Sequence, residues 1–177
     1  AYTTMTWEAW IRPDSVTRTQ QIVSKFGAAG HRAYQIGLAP DGVLRADVSY
    51  DGTTIQTLQS PAGAIAAGQW SHVAMTYEMY SRVWKLWANG VEIATRTNVS
   101  NIFEGGTAPV TFGAKSDATE FFGGLIDEVA FYRTIADIPA LYQLGGVNKF
   151  HGTTIRGNSI FLNGDMGIDL YLPHGPN

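Results

Sequence analysis

The stretch Val73-Ala74-Met75-Thr76-Tyr77-Glu78-Met79-Tyr80-Ser81-Arg82-Val83-Trp84-Lys85-Leu86-Trp87-Ala88-Asn89-Gly90-Val91-Glu92-Ile93 decides the fold. Its apolar residues recur at every second position: Val73, Met75 and Tyr77, then Trp84, Leu86 and Ala88, then Val91 and Ile93. A strand sends successive side chains to opposite faces, so this spacing reads as strands that each bury one face. Asn89-Gly90 is the strongest short hairpin signal, because both positions accept positive φ. Working outward, the same alternation recurs at Met5-Trp7-Ala9-Ile11, Tyr34-Ile36-Leu38 and Leu44-Ala46-Val48-Tyr50, with turn signals at Pro40-Asp41-Gly42, Asp51-Gly52 and Gly105-Gly106. Antiparallel hairpins follow. One stretch has helical spacing, Asp137 to Leu144. Asp137 can cap it, Pro139 suits its first turn, Ile138, Leu141 and Tyr142 share a face, and Gly145-Gly146 is expected to end it against a sheet edge.

Composition narrows the class. The chain has 177 residues, 45% hydrophobic and 15% charged, which is enough for one buried domain and cramped for two. Charge falls below the usual share of about 25%, while 20 glycines and 12% aromatics argue against disorder, coiled coil and helical bundle. A net charge of −3 with scattered Lys and Arg leaves no basic stripe for nucleic acid and no cluster for an anionic membrane. With no cysteine, thiolate metal sites, disulfides and Cys nucleophiles are excluded. No apolar run approaches the ~18 residues of a transmembrane helix. The start at Ala1 is read as processing, by removal of a secretory signal or of an initiator Met.

Several runs go further than composition. Thr6-Trp7-Glu8-Ala9-Trp10-Ile11-Arg12-Pro13, Gly68-Gln69-Trp70-Ser71-His72-Val73-Ala74-Met75-Thr76-Tyr77 and Phe122-Gly123-Gly124-Leu125-Ile126-Asp127-Glu128-Val129-Ala130-Phe131-Tyr132 resemble three strands of the LamG-like, concanavalin A-like lectin and glucanase family, in order and in spacing. Leu86-Trp87-Ala88-Asn89-Gly90-Val91 stands where that family has a hairpin. The resemblance covers Thr3 to Leu144 and implies an all-β, antiparallel two-sheet jelly-roll sandwich. The family hosts lectins, adhesion domains, sialidase accessory domains and structural modules, so the fold alone does not name an activity.

One departure concerns order. The family opens with a strand before the tryptophan strand, and Asn158 to Pro173 resembles that strand at the far end of this chain. The resemblance implies a circular permutation: a sandwich over 1–144, a connector over 145–158 and a completing strand over 159–177, all one domain. The alternative is an unrelated extra hairpin or the start of a truncated repeat. The alternating residues Ile160, Leu162, Ile168, Leu170 and Leu172 would form the assembly face. At about 3.3 Å per residue the connector spans roughly 45 Å, so the strand can close its own sandwich, or it can enter a neighbour and build a filament.

The candidate chemistry is sparse. Glucanases of this architecture use carboxylates at i, i+2 and i+4 on one face, whereas Asp127 and Glu128 are adjacent and point apart, so we expect no catalytic residue. His31, His72, His151 and His174 are dispersed, and His72 reads as a structural histidine. The resemblance implies a structural calcium ion at Asp127, with Asn163 and Asp165 as neighbours. The other reading is that Asp127 caps a turn or pairs with Arg133 or Lys149. A glycan site needs an exposed ring beside polar groups, and Tyr80, Trp87 and Trp10 are the candidates, although most tryptophans of a sandwich fill its core. Together these lead to a non-catalytic structural protein outside the cell, on a cell or virion surface, polymerising with copies of itself by strand donation. The alternative is a monomeric carbohydrate-binding or adhesion module, and a weaker one is an accessory domain of a larger enzyme.

Overall fold

The structure is a computed structural model that describes residues 4–148. The decisive stretch forms β6 (Ser71–Glu78), β7 (Val83–Ala88) and β8 (Val91–Arg96), paired antiparallel. Asn89 and Gly90 take φ of 50° and 78°, the left-handed pair a tight hairpin requires. The remaining strands are β1 (Thr4–Pro13), β2 (Gln20–Phe26), β3 (Arg32–Ala39), β4 (Val43–Ser49), β5 (Ile55–Gln59), β9 (Thr111–Phe112) and β10 (Gly124–Tyr132). They make two five-stranded antiparallel sheets, β10-β1-β6-β7-β8 and β5-β4-β3-β2-β9. The core lies between them. Met5, Trp7 and Ile11 of β1, Met75 and Tyr77 of β6, and Trp84 and Leu86 of β7 face Ile22, Tyr34, Ile36, Leu38, Leu44, Ala46 and Val48 of the second sheet.

Turns are set by local chemistry. Asp41 and Gly42 both have positive φ, and a Cβ on Gly42 would lie 2.1 Å from the Ile65 carbonyl oxygen, so only glycine fits there. After β4, Asp51 Oδ1 accepts the Thr53 and Thr54 N–H groups at 2.8 and 2.6 Å, and Thr54 Oγ1 donates to Asp51 Oδ2 at 2.7 Å. These bonds, led by the Thr53 N–H, favour the charged carboxylate and lower its pKa to about 2. A depressed folded pKa stabilises above the unfolded value and is lost as pH falls through the folded one. The Asp51 turn should therefore loosen from about pH 4 down to pH 2, seen as faster amide exchange at Thr53 and Thr54. Asp51→Asn should remove that pH step.

The helix α1 (Ile138–Asn148) begins where expected, with Asp137 Oδ1 accepting the Ala140 N–H at 3.2 Å. It differs from the expectation in two ways. It continues through Gly145-Gly146, and it lies on the outer face of the first sheet rather than at an edge. The reason is close packing. A Cβ on Gly145 would sit 2.5 Å from Trp10 Nε1, so this glycine lets the helix backbone rest on the indole instead of ending the helix. Tyr142 stacks on Trp10 with ring centroids 5.7 Å apart, and Gly90 of the β7–β8 turn leaves room for the Tyr142 ring.

Candidate functional site

The outer face of the first sheet is built from residues that alternate with the core set. On β6 these are His72, Thr76 and Glu78, and on β7 Val83, Lys85 and Trp87, with Thr76 opposite Lys85 and Glu78 opposite Val83. The segment Ile135 to Pro139 enters α1 alongside them and encloses a cleft of about 310 Å³, lined by Thr76, Glu78, Lys85, Trp87, Asp137 and apolar Val83, Ile135, Ile138 and Pro139 among others. That volume is at the lower end of the range for small-molecule sites. Trp87 is half-buried, its Nε1 donates to Thr76 Oγ1 at 3.1 Å, and the Lys85 ammonium lies 5.6 Å from its ring centroid. Lys85 also pairs with Glu92 at 2.8 Å. The cleft thus offers an aromatic wall, one hydroxyl, one ammonium and two carboxylates.

The other two expected aromatics fare differently. Trp10 faces outward, as its spacing implies, but α1 covers it and it is 7% exposed, so it forms the floor under the helix and no part of the cleft. Tyr80 is 79% exposed on the β6–β7 turn, two residues from Glu78, and does not line the cleft. Of the three, only Trp87 is brought together with polar side chains around an open volume.

Beneath the helix is a buried polar group that the sequence reading saw only in part. His72, 1% exposed, donates from Nε2 to Glu8 Oε2 at 2.7 Å, and Tyr132 donates its hydroxyl to Glu8 Oε1 at 2.6 Å. A carboxylate only accepts, which fixes the proton on Nε2. Burial and this bond, the bond first, push the Tyr132 phenol up to about 12. Trp10 and Tyr142 lie over His72 at ring distances of 5.3 and 6.1 Å, so the group ties β1, β6 and β10 together beneath a lid of rings. His72 is held on its Nε2 side, while its buried Nδ1 has no hydrogen-bond partner among the described residues.

The second sheet also has a polar outer face. Asp47, 1% exposed, accepts from Gln35 Nε2 at 2.7 Å, from Arg45 Nε and a terminal guanidinium nitrogen at 3.1 and 3.0 Å, and from Thr57 Oγ1 at 2.5 Å. Nearby, Gln21 Nε2 donates to Glu120 Oε2 at 2.6 Å. Asp47 spends its capacity on these partners, which suits holding β3, β4 and β5 in register, while among the described residues the buried Oε1 atoms of Gln21 and Gln35 find no donor. The alternation Gln35, then Arg45 and Asp47, then Thr57 is visible in the sequence once the strands are paired, and that pairing is what the unaligned sequence lacked.

Asp127 sits opposite Trp10 on β10, where Glu128 takes φ of 49° in a bulge. Its Oδ1 accepts the N–H of the next residue, Glu128, at 2.9 Å. Asn163, Asp165 and the assembly residues Ile160, Leu162, Ile168, Leu170 and Leu172 lie outside the described residues, as do His151, His174 and Lys149. Among the described residues no three His, Asp or Glu side chains gather as a metal cage. Among them, too, no helix is long and apolar enough to cross a membrane.

Two sheets, a helix on one outer face and the motif strands β1, β6 and β10 define a lectin-type sandwich. The chain belongs to the Laminin_G_3 family of the concanavalin A-like lectin/glucanases superfamily, whose model matches residues 2–136. Among solved structures it is similar to the CBM40 module of the Ruminococcus gnavus IT-sialidase bound to α2,3-sialyllactose, at 22% identity and TM-score 0.67, covering 80% of this chain and 82% of that one. It is also similar to the leech intramolecular trans-sialidase, at 23% identity and TM-score 0.66, covering 88% of this chain and 25% of that one. A heptameric pentraxin from Limulus polyphemus matches at 17% identity and TM-score 0.57, covering 80% and 69%. At these identities the likeness is one of fold. No curated protein matches the chain by sequence.

Proposed function

We propose that the chain is a non-catalytic carbohydrate-binding module, working outside the cell or at its surface, and that its site is the Trp87 cleft. The observation that carries this is a half-buried indole on an open cleft of about 310 Å³ with hydroxyl, ammonium and carboxylate groups on its walls. Sugars present an apolar ring face and a rim of hydroxyls, and they need both kinds of surface at once. Glu78 and Asp137 outnumber Lys85 among the charged lining residues, which disfavours an anionic sugar and selects a neutral one. The relative solved with sialyllactose supports carbohydrate recognition on this fold. It does not fix the sugar here. The filament reading rests on residues outside the described ones, whereas the cleft lies wholly within them.

The test is calorimetric titration of the full chain with neutral oligosaccharides and with sialyllactose. A neutral sugar should bind, and Trp87→Ala should weaken it roughly tenfold or more while leaving thermal unfolding near that of the parent. Equal binding by Trp87→Ala would remove the cleft from the account. Preference for sialyllactose would overturn the neutral-sugar assignment.

A further inference from the structure

The outer face of β1 holds down what crosses it. Thr6, Glu8 and Trp10 alternate with the core residues Met5, Trp7 and Ile11. Glu8 joins the neighbouring strands through His72 and Tyr132, and Trp10 lies under α1. Thr6, 0% exposed, holds a third group. Its Oγ1 donates to the Thr134 carbonyl at 2.8 Å and accepts the Ala136 N–H at 3.1 Å.

Both backbone groups belong to the segment that walls the Trp87 cleft. The chain leaves β10 at Tyr132, the register partner of Thr6, and turns back across β1 before Asp137 starts α1. Thr6 also pairs with Thr76, and Thr76 with Lys85, so the row Tyr132, Thr6, Thr76, Lys85 runs from β10 to the floor of the cleft. With neighbouring strands about 4.8 Å apart, Thr6 stands one strand from Thr76 and roughly 10 Å from Lys85. Among the described residues no other hydrogen bond ties residues 133–137 to either sheet. A threonine hydroxyl donates and accepts at once, so this one side chain satisfies a carbonyl and an N–H that an irregular segment would otherwise leave unpaired. Thr6 itself does not line the cleft.

We propose that Thr6 is a positioning residue for ligand binding in the Trp87 cleft: by pinning Thr134 and Ala136 it holds Ile135, Asp137 and Pro139 at the spacing from Thr76 and Lys85 that keeps the cleft open. This role rests on the cleft being the sugar site. Without the hydroxyl the two backbone groups turn to water, the wall loses its fixed place, and the ligand has to order it on binding.

Thr6→Val keeps the branched shape and removes the hydroxyl, whereas Thr6→Ser keeps the hydroxyl. The full chain and both variants are titrated with neutral trisaccharides of glucose, galactose and mannose, and amide exchange is read without sugar. In the parent, the Ala136 amide should exchange roughly tenfold or more slower than those of Ile135 and Asp137, which have no acceptor among the described residues. Thr6→Val should lose that protection and bind the sugar roughly five- to tenfold more weakly, with exchange in β6 and β7 unchanged. Thr6→Ser should stay within about twofold of the parent in both readings. Parent-like affinity in Thr6→Val overturns the proposal and leaves the cleft as the sugar site. Equal weakening by Ser and Val overturns it in favour of packing, and faster exchange throughout β6 and β7 overturns it in favour of a general loss of stability. A parent that binds none of these sugars, with Ala136 still protected, overturns the cleft reading and this role with it. Should Thr6→Val fail to fold, the parent decides: sugar should slow Ala136 exchange further, and no change there overturns the proposal.

Discussion

Trp7→Ala is expected to lose about 3–5 kcal/mol of folding stability, the range for deleting a large buried aromatic. Trp7 is 6% exposed, and its ring meets Tyr34 of β3 at 5.8 Å as well as Phe112 and Phe131, so it links both sheets at their less covered side. Against a total of about 5–15 kcal/mol, this is a large fraction. The melting temperature should fall by roughly 6–20 °C. Trp7→Phe should cost far less, about 1–2 kcal/mol, because among the described residues the buried Trp7 indole N–H has no acceptor and its removal relieves a desolvated donor. Calorimetric unfolding of both variants checks the difference. Equal losses would mean that the indole N–H has a partner after all.

Glu8→Ala should cost about 2–5 kcal/mol, although it removes only one side chain. It strips the acceptor from both His72 Nε2–H and the Tyr132 hydroxyl under the cover of Trp10 and Tyr142, and each orphaned buried donor costs about 1–3 kcal/mol. The phenol reports the same bond. With Glu8 in place, Tyr132 titrates near 12, raised first by the Glu8 hydrogen bond, then by burial and then by the carboxylate charge. A folded pKa raised above the unfolded one stabilises below the unfolded value and loses that stability as pH climbs through the folded one, here from about pH 10 to 12. In Glu8→Ala the phenol should fall back toward about 10 and that alkaline loss should shrink, followed by phenolate absorbance across the same pH range. An unmoved phenol would take Glu8 out of the network.

How much of this was legible in the sequence depends on where the period of two survives. β1, β3, β4, β6 and β7 keep it and could be read, with Asn89-Gly90 fixing the hairpin, whereas in β8 a register shift opposite Leu86 and Trp87 leaves Val91 exposed and packs the adjacent Ile93 and Ala94 on the core together. β2 could not be read in this way. A register shift between Gln21 and Val23 turns Ile22 and Val23 inward together and breaks the alternation. β9, with two residues, is too short to carry any period. Gly145 illustrates a different limit, since a glycine after an amphipathic run reads as a helix stop unless the indole it touches is known.

The same limit governs the site. Trp10 and Trp87 have the same signature, an outward tryptophan on a strand, and only the position of α1 decides that one is covered and the other borders a cleft. The pairing of Glu8 with His72 and Tyr132 spans separations of 64 and 124 residues, so no local motif announces it. The Asp47 network likewise depends on the lateral order of β3, β4 and β5, which alternation alone does not give.

The central claim, that a neutral sugar binds against Trp87, is tested most directly by following the five indole N–H resonances during a saccharide titration. The account predicts that the Trp87 signal shifts with the backbone signals of Thr76, Lys85 and Asp137, while the signals of Trp7 and Trp84, both buried in the core, stay in place. Shifts centred instead on Gln35, Arg45 and Asp47 would place the ligand on the opposite sheet and contradict the account. No shift with any neutral sugar would contradict it altogether.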